Sequence, residues 1–387
     1  MSVWAEVIGQ EPTVARLQAA AASAHGDGAL MTHAWLLTGP PGSGRSIAAR
    51  SFAAALQCAE NPPGCGRCHS CTTVLAGSHA DVTTVRTEGT IIAVKDARPL
   101  VSLAQRRPSV GRWRVILVED ADRLNEQAGN ALLKALEEPT PRTVWLLCAP
   151  SAEDVLITIR SRSRHLSLRT PPPDDVAQLL VKRDGVDPAM AAFAARAALS
   201  HVGLARRLAT DEQARIRRRT VVQLPLALRS VGDAVIQAGT LLSTANEEAA
   251  AGTAQRDEAE RAALLRALGA DTAARTQPPH VRAQLTELEN NHKRRAKRFV
   301  GDMLDRSLLD LLSVYRDVLV LHADQHADLI NAEMRPDLVR LARALSPEQA
   351  LQRMDVIRET RARLSTTNAA PLLALEAMAV ALRLPSS

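Results

Sequence analysis

The sequence predicts a parallel α/β domain followed by an all-helical remainder. Three observations carry that expectation. Short apolar runs that end in turns or charges, HAWLLTGP (33–40), RWRVILVED (112–120) and RTVWLLCAP (142–150), alternate with helical patterns up to about residue 169. That is the pattern of a buried parallel sheet with covering helices. The PPPDD stretch (171–175) then breaks the alternation, because proline continues neither a strand nor a helix interior, and Asp174 or Asp175 can cap the next helix. Residues 176–210 read as a small helical unit, and from about 211 onward the pattern is helical throughout.

Composition agrees. Ala, Leu and Arg are abundant and aromatics make up only 2%, a balance that favours helix. A chain of 387 residues with 46% apolar content is long enough for two to three domains and is not a disordered type. The net charge of +6 permits contact with nucleic acid without demanding it, and solubility accounts for it equally well. The start, MSVWAEVIGQEP, has no signal-peptide pattern, and no apolar run of about 18 residues is present to span a membrane. The expectation is a soluble cytoplasmic protein with no membrane contact.

Two stretches of the helical part stand out. Residues 245–280 are rich in Ala, Glu and Thr and end in Pro278 and Pro279, which reads as a mobile or poorly packed insertion. The run HKRRAKR (292–298) lies inside a helical pattern. Two readings of it stand: a solvated helix face, or a patch that meets DNA or a protein partner.

GPPGSGRS (39–46) follows a strand pattern and precedes a helical one. Gly39, Gly44 and Ser46 fit the P-loop spacing, with Pro41 and Gly42 between them, but Arg45 stands where the pattern wants lysine. Such glycines let backbone N–H groups turn inward and form an anion nest at a helix N-terminus, and Ser46 is placed to hold Mg²⁺. Arginine keeps the charge of lysine but is wider, planar and forked. The strand RVILVEDADRL (114–124) ends in Glu119–Asp120, where P-loop ATPases place Asp–Glu. Exchanging the two moves each carboxylate by about one methylene, and catalytic positioning is sensitive to ~1 Å. Retained binding of ATP or ADP with Mg²⁺ is left open by these residues, and efficient hydrolysis is disfavoured.

Cys58, Cys65, Cys68 and Cys71 are separated by six, two and two residues. Four thiolates surround Zn²⁺ tetrahedrally, and Pro62, Pro63, Gly64 and Gly66 supply tight turns between them. With no open coordination position the expected Zn²⁺ is structural. His69 is a competing ligand by position, a disulfide or redox pair is the other reading, and Cys148 stands alone.

Several motifs then occur in one order: HAWLLTGPPGSGRS, the cysteine cluster directly after the P-loop helix, VILVEDADRL, NALLKALEEP (130–139) and IRSRSR (159–164). In that order they resemble the bacterial clamp-loader ATPase family of DNA polymerase III, within the AAA+ class. The resemblance is strong over residues 1–170, reasonable to about 210 and only architectural beyond. It implies an AAA+ P-loop domain over 1–170 with a zinc knuckle inserted at 58–71, a helical lid over 171–210 and an all-α collar over 211–387. VIGQEP (7–12) resembles the family's N-terminal segment near the adenine, so Val7 and Ile8 join the implied nucleotide site. Ser161, Arg162 and Ser163 fall on the family's Ser-Arg-Cys motif, which implies that Arg162 is an arginine finger in trans; a plain basic loop is the alternative. Gly203 to Arg206 matches the sensor-2 pattern weakly, and Arg206 reads equally as a surface charge.

Arg45 and Glu119–Asp120 make the chain more similar to the family's stationary delta-prime branch than to its tau/gamma motor branch. The implied partners are delta, tau/gamma, the ring-shaped sliding clamp and primer–template DNA, within a hetero-oligomer that loads the clamp during DNA replication. An active tau/gamma-like motor ATPase and a zinc-dependent DNA-binding module are the competing functions.

Overall fold

The computed structural model describes residues 2–26, 28–87, 91–270, 278–366 and 370–384. The chain divides into two compact units, Met1–Thr210 and Asp211–Ser387. Five strands build the first: β1 (Ala34–Thr38), β2 (Val82–Val85), β3 (Arg114–Val118), β4 (Thr143–Ala149) and β5 (Arg164–Ser167). All pair in parallel, in the order β2-β3-β4-β1-β5.

Every residue of β1, β3 and β4 is buried, as a sheet with both faces covered requires. Alternation still sorts the side chains. Trp35, Leu37, Val115, Leu117, Val144 and Leu146 enter one core, while Leu36, Ile116, Val118, Trp145 and Leu147 enter the other. Helices α1 (Glu11–Ala24), α2 (Arg45–Gln57) and α3 (His69–Leu75) close the first core, and α4 (Val94–Ala104), α5 (Glu126–Glu137) and the short α6 (Ile157–Arg160) close the second. Trp35 meets Phe52 of α2 edge-on, with ring centroids 5.3 Å apart.

The chain leaves β1 for the edge strand β2 and works back through β3 and β4. β1 therefore ends between β4 and β5, and the connection from β1 runs toward the β2 edge while that from β4 runs to the β5 edge. In open α/β sheets, ligands bind at the carboxyl ends of strands at such a switch point. The loop 39–46 follows β1 there, and the acids 119–120 follow β3 at the same end of the sheet, on the far side of β4.

After the proline-rich break come α7 (Pro173–Asp184), α8 (Pro188–Ala197) and α9 (Val202–Thr210). The expected aspartate cap of α7 is corrected. Pro172 is the N-cap, and Asp174 and Asp175 lie in the first turn, where they face the positive end of the helix dipole.

The second unit is helical: α10 (Glu212–Ala227), α11 (Val231–Ala267), α12 (Pro279–Ala323), α13 (Arg335–Ala344), α14 (Pro347–Thr366) and α15 (Pro371–Ala381). Ser230 opens α11 with a capping box: its Oγ accepts from the Asp233 N–H, and the Asp233 carboxylate accepts from the Ser230 N–H. Leu241, Leu304, Leu308, Leu311, Tyr315, Ile357 and Leu375 form the main core.

The insertion expected over 245–280 is also corrected. Residues 245–267 continue α11, with Ala245, Ala249 and Thr253 buried, and Pro279 begins α12; residues 271–277 lie outside the described residues. Alanine supplies helix propensity with little hydrophobicity, so a weak apolar pattern did not mean the absence of a helix. Among the described residues no helix is long and apolar enough to cross a membrane.

Candidate functional site

The loop after β1 is fastened at both ends. The Gly39 N–H donates to the carbonyls of Ala149 (3.3 Å) and Pro150 (3.1 Å) at the end of β4. Gly44, at φ +86°, is the N-cap of α2, and Gly42 has φ +91°. A Cβ on Gly42 would lie 2.7 Å from the Cα of His201, so the loop is pressed against the backbone just before α9. Pro41 is exposed, and Gly42, Arg45 and Ser46 are partly buried.

Gln10 ties the N-terminal segment to this loop. Its Nε2 donates to the Ser43 carbonyl (3.2 Å) and the Arg169 carbonyl, and its Oε1 accepts from the Arg169 N–H at 3.1 Å. Val7 is buried in the first core and Ile8 is partly exposed beside it. The segment at 7–12 is thus held against the loop and the end of β5.

Arg45 folds back into the loop, where its Nη1 donates to the Gly39 carbonyl at 2.5 Å. Its Nε and the Ser43 Oγ are buried without a hydrogen-bond partner. Two unanswered polar groups beside a helix N-terminus fit an anionic ligand such as a phosphate group.

The acids behave differently. Glu119 is 7% exposed and lies between Arg50 of α2, at 3.0 Å, and Arg86, which takes the other carboxylate oxygen. Asp120 accepts from the Thr87 N–H at 3.3 Å and begins a 3₁₀ turn over Ala121–Arg123. The loop therefore fits phosphate, but Glu119 is committed to two internal cations and does not fit Mg²⁺ coordination. Cys148, on β4, is buried against the same loop, and burial pushes its thiol far up. It is an inert core residue.

Arg162 follows α6. Its Nη1 donates to the Thr158 carbonyl (2.9 Å) and to the Ser161 Oγ (3.2 Å), and its Nη2 pairs with Glu137 at the end of α5. Ser161 is the C-cap of α6. Arg206, exposed on α9, pairs with Asp184 at 3.2 Å, which Arg183 also holds.

The four clustered cysteines place their Sγ atoms within 4.8 Å of one another, and all are free thiols. The Cys58–Cys68 separation is 3.9 Å, close to the edge of about 3.8 Å that Zn–S bonds of about 2.3 Å give a tetrahedron. Backbone N–H groups of Cys68 and Cys71 donate to the sulfurs of Cys65 and Cys68. Burial works against a Cys68 thiolate, but N–H donors from Ala59 and Cys71 prevail and bring it down to about 6. Burial raises Cys71 instead. A four-sulfur set with thiolate-stabilising donors fits structural Zn²⁺.

Arg50, Arg86, Gln10 and His201 were not candidates from sequence. Arg86 reaches Glu119 only because β2 lies beside β3, a neighbour relationship that no local pattern announces. Arg50 carried a weak signal, lying on the P-loop helix one turn beyond Ser46.

Residues 9–172 match the family described as DNA polymerase III, delta subunit. The delta' subunit of Pseudomonas aeruginosa is 39% identical over 135 residues, 34% of this chain and 41% of that protein. Over this region the chain is similar to DNA polymerase III clamp-loader subunits. The gamma/tau subunit of Mycobacterium tuberculosis H37Rv is 35% identical over 182 residues, 46% of this chain and 31% of that subunit. The chain thus spans less than half the length of these curated relatives. A gamma-subunit-related protein from Thermotoga maritima aligns with a TM-score of 0.36 and 17% identity, over 90% of this chain and 99% of that one.

Proposed function

We propose that this chain is a delta-prime-like clamp-loader subunit, structural and largely non-hydrolytic, that donates Arg162 to a neighbour's ATP site while the sliding clamp is loaded on primed DNA. The observation that carries the reading is Glu119, whose two oxygens are taken by Arg50 and Arg86. A second supports it: Arg45 is bonded to the Gly39 carbonyl of its own loop. In this reading residues 1–170 form the AAA+ domain, 171–210 a lid and 211–387 a collar. The partners are delta, tau/gamma, the clamp and primer–template DNA, in the cytoplasm. Cys58, Cys65, Cys68 and Cys71 hold Zn²⁺, which supplies folding energy. Bound nucleotide would meet the N–H groups and Arg45 of the loop. A finger in trans stabilises charge that develops as phosphate is transferred, and is worth orders of magnitude in rate.

The test is ATP turnover by the isolated chain and by the reconstituted complex. The isolated chain is expected at background. Arg162→Ala is expected to leave assembly intact and to lower the complex's turnover by roughly 10²-fold or more. Robust turnover by the isolated chain that disappears in Arg45→Ala would sink the proposal in favour of a tau/gamma-like motor. That second reading draws on the 35% identity to a gamma/tau subunit.

A further inference from the structure

The helical unit carries a feature that the clamp-loader reading leaves unused. Helices α11 and α12 run antiparallel, with Arg261 paired to Glu289 and Gly252 against Phe299. Near the turn, Leu265, Val281 and Leu285 form a small core of their own. Between that core and the main one, Arg295 pairs with Asp257 and Glu260, and His292 with the same two acids. Arg298 pairs with Asp302. These pairs neutralise the inward-facing half of the basic run.

The outward half is left charged. Arg282, Thr286, Asn290, Lys293 and Lys297 are all exposed and recur at helical steps of four, four, three and four residues; Arg294 adjoins them. They form one stripe, roughly 22 Å long at 1.5 Å per residue. Among the described residues, the side chains of Arg282, Lys293, Arg294 and Lys297 have no ion-pair partner. Glu289, at the edge, is held by Arg261, and Glu287 flanks the stripe exposed. The stripe itself contains no carboxylate and no apolar side chain, only cations, an amide and a hydroxyl.

We infer that this face of α12 is a nucleic-acid phosphate-binding site that does not read sequence. A row of donors complements an acceptor-only polyanion, and phosphate contacts are made by just these side-chain types. An acidic protein is the less favoured occupant, because protein interfaces need a desolvated apolar or aromatic centre, which the stripe lacks. The inference does not depend on whether the first unit hydrolyses ATP.

The test is fluorescence anisotropy of the full chain with labelled duplex and single-stranded DNA across a salt series. One variant carries Lys293→Gln, Arg294→Gln and Lys297→Gln. A control carries Arg340→Gln, Arg358→Gln and Arg363→Gln, which removes the same charge from exposed arginines that are ion-paired. All six positions are on the surface, so both variants should keep the native melting temperature. The stripe variant is expected to bind at least tenfold more weakly. Its slope of log K against log salt should shrink by about 3, one for each phosphate that is no longer neutralised. The control is expected to change little. Equal losses in both variants would reduce the effect to net charge and overturn the assignment. So would unchanged DNA affinity accompanied by weakened binding to polyglutamate, which would give the face to an acidic protein.

Discussion

Arg50 and Glu119 meet at 3.0 Å and join the middle of the P-loop helix to the acid that ends β3. With Arg86 on the other oxygen, a carboxylate that is almost wholly buried has a cation on each side. A buried charge is tolerated only when it is paired in this way, and stranding it costs about 3–5 kcal/mol. The acid is therefore committed within the chain before any ligand arrives.

Arg45→Lys restores the usual loop cation but leaves Glu119 paired. Phosphate release by the isolated chain should stay at background in this variant. Turnover that appears on this one change would locate the block in the loop rather than at the acid. The companion measurement is urea unfolding. Arg50→Ala with Arg86→Ala should lose roughly 3 kcal/mol, discounted for the partial exposure of both arginines. Adding Glu119→Gln should recover most of that loss.

Gly42→Ala should destabilise the first unit without touching any charged group. The backbone sits at φ +91°, and the new Cβ would meet the His201 Cα at 2.7 Å. Left-handed strain and a backbone clash together cost about 1–3 kcal/mol. Gly44→Ala, at a similar φ but with open space around it, should incur only the strain. An equal drop in melting temperature for both variants would contradict the packing of the loop against the segment before α9.

Asp81 predicts an acid-side loss of stability. It is fully buried and accepts from Ser109, Val110 and Gly111 N–H groups, from the Ser109 hydroxyl and from Arg114. Burial pushes its carboxyl up, but the N–H donors outweigh that and bring it down to about 2. A depressed folded value means that the ionised group stabilises the fold above its unfolded value near 4. That contribution drains away as pH falls from there toward 2. Its size is about 2 kcal/mol. Urea unfolding between pH 2 and 6 should show the loss in the native chain, and Asp81→Asn should flatten it. An unchanged slope in the variant would remove Asp81 as the cause.

Much of the fold was legible because buried parallel strands announce themselves as short apolar runs, and β1, β3 and β4 are such runs. β2 and β5 were not. Val82–Val85 is only partly buried and Arg164–Ser167 buries a single residue, so an edge strand leaves little pattern. The loop 39–46, the acids and the cysteine cluster were readable because their chemistry is local in sequence. Their electrostatic partners were not. Glu119 takes cations from positions 50 and 86, and Arg162 takes an acid from position 137, and each pairing depends on which elements the topology sets side by side. The stretch 245–267 was misread for the opposite reason, since alanine favours helix while registering as barely hydrophobic.

The cysteine cluster allows a test by metal removal. Cys58 and Cys71 are buried against α2, while Cys65 and Cys68 are partly exposed. The turn between Cys58 and Cys65 is also a platform for the N-terminus: the Val3 N–H and the Ser2 hydroxyl both donate to the Gly64 carbonyl, at 3.0 and 3.1 Å. Ser51 of α2 in turn donates to the Val3 carbonyl at 2.7 Å. Without a metal, thiolates crowded within a few ångströms repel one another, so the turn should open and release the segment it holds. Strong chelation should therefore lower the melting temperature and expose both the 58–71 stretch and the first ten residues to protease, while the sheet keeps its circular dichroism. Metal analysis should give one zinc per chain, and cobalt substitution should give the intense thiolate charge-transfer bands of a four-sulfur site. Stripped protein with an unchanged melting temperature and cleavage pattern would show that the cluster is a set of ordinary thiols rather than a metal centre that folds this part of the chain.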